Sequence, residues 1–194
     1  MPSGTLWSTK NIGATNGNTA ESWYGNYYAW GETETKTNYD WSNYKYANGG
    51  YDKLTKYCNK SNYGNNRFTD GLTQLVPEDD VATVTKSAWR IPTKEDFDEL
   101  IAGTTSRWET DYKGISGLNG GVFTSKVNGT TLFIPAAGFY YSSDIFNVGS
   151  YCYLCSSSLY LDDPNYAYYL NFRSDNIYMK YNNRCYGLSV RPIC

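Results

Sequence analysis

Cys152-Tyr153-Leu154-Cys155 places two thiols at the spacing of a redox dithiol or of half a zinc site. Cys58, Cys185 and Cys194 raise the count to five, enough in number for a four-cysteine centre. There is no second C-x-x-C, however, and the motif lacks the strand-helix-strand setting of a thioredoxin-like protein, so packed or incidental cysteines are the simpler expectation. An odd count also leaves at least one thiol free or paired between chains. Glu78-Asp79-Asp80 is the next run with chemical potential. It lacks the alternating oxygen ligands and the glycine of a calcium loop, whereas acids opening a helix suit the helix dipole. Asp162-Asp163 before Pro164 reads as turn chemistry. Histidine is absent from the chain, which excludes Ser-His, Cys-His and His-metal mechanisms together. The expectation is therefore a chain with no catalytic residues, no metal and no cofactor.

Tyrosine offers a different chemistry. The 194 residues include 21 tyrosines, nine of them within 151–194, and that segment also holds four of the five cysteines. A tyrosine combines a large apolar body with a polar tip and loses little entropy when fixed, so it suits adaptable recognition surfaces. Aromatic rings also fill the cores of β-rich domains, and the tyrosines are expected to divide between the two roles. Alternation points Tyr151, Tyr153, Tyr160, Tyr166, Tyr169, Arg173, Tyr178, Lys180, Tyr181 and Tyr186 outward. Many aromatics together with Arg is the composition of a binding hot spot. Leu154 and Leu188 complete the set of residues expected to meet a ligand.

Short strands must carry these side chains. Tyr168-Tyr169-Leu170-Asn171-Phe172-Arg173 alternates, with Tyr168, Leu170 and Phe172 inward and Tyr169, Asn171 and Arg173 outward. After a turn at Ser174-Asp175-Asn176, Ile177 and Met179 point in while Tyr178 and Lys180 point out. Leu188-Ser189-Val190-Arg191-Pro192 closes with the same pattern. Asn128-Gly129, between segments 121–127 and 130–135, predicts a hairpin with a two-residue turn. Helix is scarce. Thr93 caps a predicted helix whose apolar face is Phe97, Leu100 and Ile101, ending near Gly103. A shorter helix follows Pro77-Glu78-Asp79-Asp80, burying Val81, Ala82 and Val84. Two short helices and mainly antiparallel strands argue an α+β fold. Segment 38–66, rich in Tyr, Asn, Lys and Gly, is expected to form long loops tied down by Trp41, Tyr44, Tyr46, Tyr51, Leu54 and Tyr57.

The chain length fits one domain, 1–194. Seventeen Lys and Arg against nineteen Asp and Glu leave a net charge of −2, without the concentrated basic face of a nucleic-acid binder. No apolar run is long enough to enter a membrane. Met1-Pro2-Ser3-Gly4 leads into Leu6-Trp7 without a signal-peptide pattern, so a targeting segment is expected outside this sequence.

Seven motifs occur in order: Tyr28-Ala29-Trp30-Gly31-Glu32-Thr33, Leu54-Thr55-Lys56-Tyr57, Asp79-Asp80-Val81-Ala82, Trp89-Arg90-Ile91-Pro92-Thr93, Phe133-Ile134-Pro135-Ala136-Ala137-Gly138, Ser156-Ser157-Ser158 and Ser189-Val190-Arg191-Pro192. Together they resemble the Fibrobacter succinogenes major paralogous domain of gut Bacteroidetes surface proteins, over nearly the whole chain. The resemblance implies a C-type lectin-like fold of the formylglycine-generating-enzyme type, here without that enzyme's catalytic cysteines. Segments 165–176 and 181–187 resemble the variable region of a diversity-generating-retroelement target protein. In such a system asparagine codons of the AAC or AAT kind become Tyr, Ser, Asp, Leu, Arg or Cys through miscopied adenines. Lys180 is not reachable from such a codon, and Leu154-Cys155 stand where the family usually has Tyr-Trp.

The resemblance implies a diversified ligand-binding domain with its variable region at 151–194, adhesin- or receptor-like and hypervariable. It would be displayed on a bacterial cell surface or phage particle and meet a protein or glycan ligand. The expected state is a monomer, with no nucleic-acid partner and no direct membrane insertion. A carbohydrate-binding surface domain of fixed specificity is the alternative.

Overall fold

A computed structural model describes residues 3–194. Among these, α-helix forms at α1 (Glu21–Tyr24), α2 (Val81–Thr85) and α3 (Lys94–Gly103), with single 3-10 turns at Asn65–Arg67, Pro77–Asp79 and Tyr112–Gly114. The two predicted helices are α2 and α3. The additional helix, α1, is a single turn, too short to show an apolar periodicity in sequence. Thr93 opens α3 with a capping box: its hydroxyl accepts from the Asp96 N–H at 3.2 Å, and the Asp96 carboxylate accepts from the Thr93 N–H at 2.7 Å. Phe97 and Leu100 are sealed beneath the helix, while Ile101 is half-buried. Asp80 caps α2 by accepting from the N–H groups of Ala82 and Thr83. Val81 and Ala82 are buried as expected, but Val84 is 57% exposed, because so short a helix meets the core only through its first turn.

The strands are β1 (Tyr27–Tyr28), β2 (Thr104–Glu109), β3 (Gly120–Ser125), β4 (Thr131–Pro135), β5 (Phe139–Tyr141), β6 (Asp144–Phe146), β7 (Cys152–Leu159), β8 (Tyr166–Arg173), β9 (Asn176–Asn183) and β10 (Leu188–Ser189). They make a five-stranded sheet ordered β1-β10-β7-β8-β9, a three-stranded sheet β2-β3-β4 and the hairpin β5-β6. Every neighbouring pair is antiparallel except β10 and β7. The architecture is α+β, with few short helices and mostly antiparallel strands.

The hairpin predicted at Asn128-Gly129 forms, but its loop is longer than two residues. Paired residues end at Thr124 and Thr131. The Asn128 side chain accepts from the N–H and hydroxyl of Thr130, widening the connection into an Asx-type turn with Gly129 at φ 71°. The β8–β9 turn tightens instead to Ser174-Asp175, and Asn176 joins the strand.

The five-stranded sheet has core on both faces. On one, Cys152, Leu154, Leu170 and Phe172 pack with Phe97 and Leu100 of α3 and with Phe123 and Ile134 of the three-stranded sheet. Ile177 and Met179 flank this cluster, half-buried rather than sealed, because β9 is the sheet's edge. On the other face, Tyr153, Cys155, Tyr169 and Val190 join a cluster built from the irregular segment 28–91, including Trp30, Tyr44, Tyr46 and Tyr57. That segment is held by buried aromatic rings as expected, with Tyr51 the exception at 59% exposed.

Two fully buried arginines lock the layers. Arg184 donates to the carbonyls of Lys56, Tyr57 and Pro164 and to the Tyr44 hydroxyl, its guanidinium 4.9 Å from the Trp30 ring. Arg191 donates to Asn11 Oδ1 and the carbonyls of Ser8 and Phe133, and burial pulls its pKa down to about 9. The Leu6 and Cys194 backbones exchange hydrogen bonds of 2.9 and 3.0 Å, bringing residues near both ends of the chain side by side.

Candidate functional site

Strand register decides which tail residues share a face. Cys152 is in register with Phe172, Leu154 with Leu170, and Leu170 with Met179, all on the α3 side. The opposite face carries three rows: Cys155–Tyr169–Lys180, Tyr153–Asn171–Tyr178, and Arg173 beside Asn176. Facing residues in neighbouring strands lie about 5 Å apart, and successive rows about 7 Å.

On this second face, Tyr151 stacks on Tyr153 with centroids 5.6 Å apart and planes within 7°. Tyr153 lies 5.5 Å from Tyr169, and its hydroxyl accepts from Asn147 Nδ2 at 2.9 Å. Arg173 Nη1 donates to the Tyr151 hydroxyl at 3.0 Å, and its Nε lies 2.7 Å from Asp175. The Tyr151 hydroxyl first, then the Asp175 charge, hold the guanidinium pKa above its ordinary value. Phe139 of β5 packs 5.2 Å from Tyr153 and 5.6 Å from Tyr186, and Tyr141 lies 4.9 Å from Tyr186. The β5-β6 hairpin thus borders the sheet face.

Exposure sorts the expected site residues. Lys180 and Tyr181 are exposed; Tyr151, Tyr160, Tyr166, Arg173, Tyr178 and Tyr186 are half-buried. Four expectations are corrected. Leu154 is 1% exposed, sealed in the α3-side core because Phe97 and Leu100 of α3 and Phe123 and Ile134 of the three-stranded sheet cover that side of β7. Leu188 is 8% exposed, packed in the opposite core from the short interior strand β10. Tyr153 and Tyr169 do lie on the outward face, but at 8% and 5% exposure they are its floor: the hairpin and neighbouring rings cover them. Burial raises the phenol pKa of both. Within 181–187, Arg184 and Cys185 belong equally to the frame, at 1% and 0%.

The remaining tyrosines do not share this face. Tyr181 is in register with Tyr168, on the α3 side. There it stacks on Tyr160 at 3.9 Å and 10°, with Tyr166 5.5 Å from Tyr181 and Tyr168 5.5 Å from Tyr160. The stacked Tyr181 phenol is the largest influence pushing the Tyr160 pKa up to about 12. Beside this cluster a cleft of about 480 Å³ is lined by Gln74, Lys94, Glu95, Asp162 and Tyr168, with the Lys94 ammonium 5.7 Å from the Tyr168 ring. The expected single surface is therefore two aromatic surfaces on opposite sides of one sheet.

The C-x-x-C motif cannot act as a dithiol in this arrangement. Residues three apart on a strand point to opposite faces, so Cys152 belongs to one core and Cys155 to the other. Burial pushes both thiols up to about 12. Asp79 is a structural hub: it accepts from the hydroxyls of Tyr46 and Tyr57 and from Lys56 Nζ. Burial alone would raise its pKa, but these hydrogen bonds outweigh it and hold the carboxyl below the ordinary range. Among the described residues no group of three or more His, Cys, Asp or Glu gathers as a metal site, and no helix is long and apolar enough to cross a membrane.

Sequence reading missed the hairpin's part in this face. Tyr141 and Phe146, on the hairpin side that meets the tail's tyrosines, are 46% and 41% exposed, and Val148 just beyond is 38% exposed. The signal available was Tyr140-Tyr141-Ser142-Ser143-Asp144-Ile145-Phe146, two apolar pairs around a Ser-Ser-Asp turn. Compared with protein-family models, with curated proteins and with solved structures, the chain matches none of them.

Proposed function

We propose that this chain is a non-enzymatic ligand-binding domain of adhesin or receptor type, with a C-type lectin-like fold, whose tail is the target of a diversity-generating retroelement. Its setting on this reading is a bacterial cell surface or phage particle, and its grip is the face of β7, β8 and β9 that carries Tyr151, Arg173, Tyr178, Lys180 and Tyr186. The observation behind the reading is the division within β8 and β9. Leu170 and Phe172 are sealed, at 0% and 4%, while Arg173, Tyr178 and Lys180 project from the other side of the same hairpin with part or all of their surface in solvent. Such a frame lets outward residues change at little cost, since surface substitutions usually shift stability by about 0.5 kcal/mol or less.

A non-enzymatic role is supported by the absence of histidine and by the buried cysteines, whose raised pKa keeps Cys152, Cys155 and Cys185 as unreactive thiols at neutral pH. The alternative, a carbohydrate-binding domain of fixed specificity, draws on the other surface. The exposed Tyr181 ring and Tyr168 beside a cleft containing Lys94, Glu95 and Asp162 combine stacking planes with polar groups.

Sequencing the gene from independent isolates separates the two readings. Diversification predicts differences at adenine-derived codons for positions such as 151, 173, 178 and 186, with 170, 172, 184 and 185 unchanged. A tail identical across isolates would overturn diversification and leave the fixed-specificity domain.

A further inference from the structure

The side chains left without partners on the tyrosine-and-cation face have one polarity. Asn171 is 2% exposed, and its Nδ2 donor has no hydrogen-bond partner, although it sits in the middle row between Tyr153 and Tyr178. A buried donor left unpaired is costly, and a functional face is one place where that cost persists. One row away, exposed Lys180 forms no ion pair with any described residue. One row away on the other side, Arg173 is paired with Asp175, which is 66% exposed, so this bond exchanges readily with solvent or with another anion. Asp144, at the turn of the β5-β6 hairpin, is in solvent, and Asp80, which acts on Cys155, is buried. A ligand seated over the Asn171–Tyr178 row therefore meets cations on both sides, above a buried unpaired donor, and it must present acceptors.

The border of the face is apolar. Every residue from Ser143 to Val148 is exposed; Phe146 and Val148 are 41% and 38% exposed and Tyr141 46%, while Ile145, in register with Tyr140, lies on the hairpin's other side. Clustered aliphatic and aromatic side chains in solvent mark a protein contact. Sugars stack on flat rings, and the branched aliphatic Val148 offers them no such plane. From the same β7–β9 binding face on which the proposed function rests, we infer that the partner is a protein carrying an Asp or Glu beside an apolar side chain. The carboxylate would lie over the Asn171–Tyr178 row between Lys180 and Arg173. The apolar neighbour would lie on Tyr141, Phe146 and Val148, so the hairpin supplies a contact that lies outside the tail.

The test immobilises the whole chain and probes it with a displayed random peptide library and, in parallel, with a glycan array. The variants are Lys180→Glu and the double substitution Phe146→Ser with Val148→Ser, each checked for an unchanged melting temperature. The expected result is selection of peptides with Asp or Glu beside an apolar residue, and a loss of about tenfold or more in their affinity with either variant. Selection of basic peptides, or of acidic ones indifferent to the hairpin substitutions, overturns the inference. Binding of glycans alone, lost in Tyr178→Ala, overturns the protein partner while leaving the binding face standing. Peptide and glycan signals both indifferent to Lys180→Glu and Tyr178→Ala overturn the face and the partner together.

Discussion

Tyr169 and Tyr178 are diagonal neighbours on one sheet face, and replacing each by alanine separates frame from grip. Tyr169 is 5% exposed and packs 5.5 Å from Tyr153; Tyr178 is half-buried on the edge strand. Truncating a buried aromatic ring to alanine costs about 3–5 kcal/mol, from lost burial and the cavity left behind. A chain of this size loses about 2–4 °C of melting temperature per kcal/mol. Tyr169→Ala is therefore expected to lower the melting temperature by about 6–20 °C. Tyr178→Ala removes one cross-strand side-chain pairing, about 1 kcal/mol or less, and is expected to shift it by about 4 °C at most. In binding the order reverses: Tyr178→Ala is expected to weaken a captured ligand by about 30-fold, the loss of about 2 kcal/mol typical of a hot-spot ring. Thermal unfolding followed by circular dichroism gives the first comparison, and titration with a selected ligand gives the second. Equal destabilisation by the two substitutions would refute the division of this face into floor and grip.

Two further outcomes follow from buried groups. The Asp79 carboxyl has its pKa lowered in the fold, so the stability it contributes is whole above its ordinary value of 3.8 and is lost as pH falls through the lowered folded value. Asp79→Asn is expected to cost about 3 kcal/mol at pH 7, and the gap between the melting temperatures of the two proteins should close as the pH is taken below 3.8; a gap independent of pH would refute the hub. Cys152, Cys155 and Cys185, with thiols pushed up to about 12, are thiolate in only about one molecule in ten thousand at pH 8. Iodoacetamide should label the native chain at exposed Cys194 and reach all five cysteines only after unfolding, and rapid native labelling at Cys152 or Cys155 would contradict their burial.

Local rules made much of the chain legible. Thr93 three residues ahead of Asp96 announces the cap of α3, and the alternation from Tyr168 to Arg173 announces β8, because both signals lie within a few residues of backbone. The separation of Cys152 from Cys155 also follows from local geometry once the segment is a strand, since an odd spacing sends side chains to opposite faces. The single turn α1 left no periodic signal, and the loop at Asn128-Gly129 opened because its own side chains competed for the backbone.

Composition and local pattern were enough for the α+β class, the aromatic tail, the absence of histidine chemistry and the in-out alternation of the last strands. Which outward residues reach solvent depended on the folded chain. Alternation sets the side of a sheet, but exposure depends on what covers that side. The β5-β6 hairpin and segment 28–91 bury Tyr153, Tyr169 and Leu188, although they lie well away from them in sequence. Strand β9 runs on past Lys180 to Asn183, so alternation sends Tyr181 to the opposite side from Tyr178 and Lys180. Helix α3 and the three-stranded sheet cover the side of β7 that carries Leu154 and so seal it, because burial is a property of neighbours brought together over long range and leaves no mark in the local sequence.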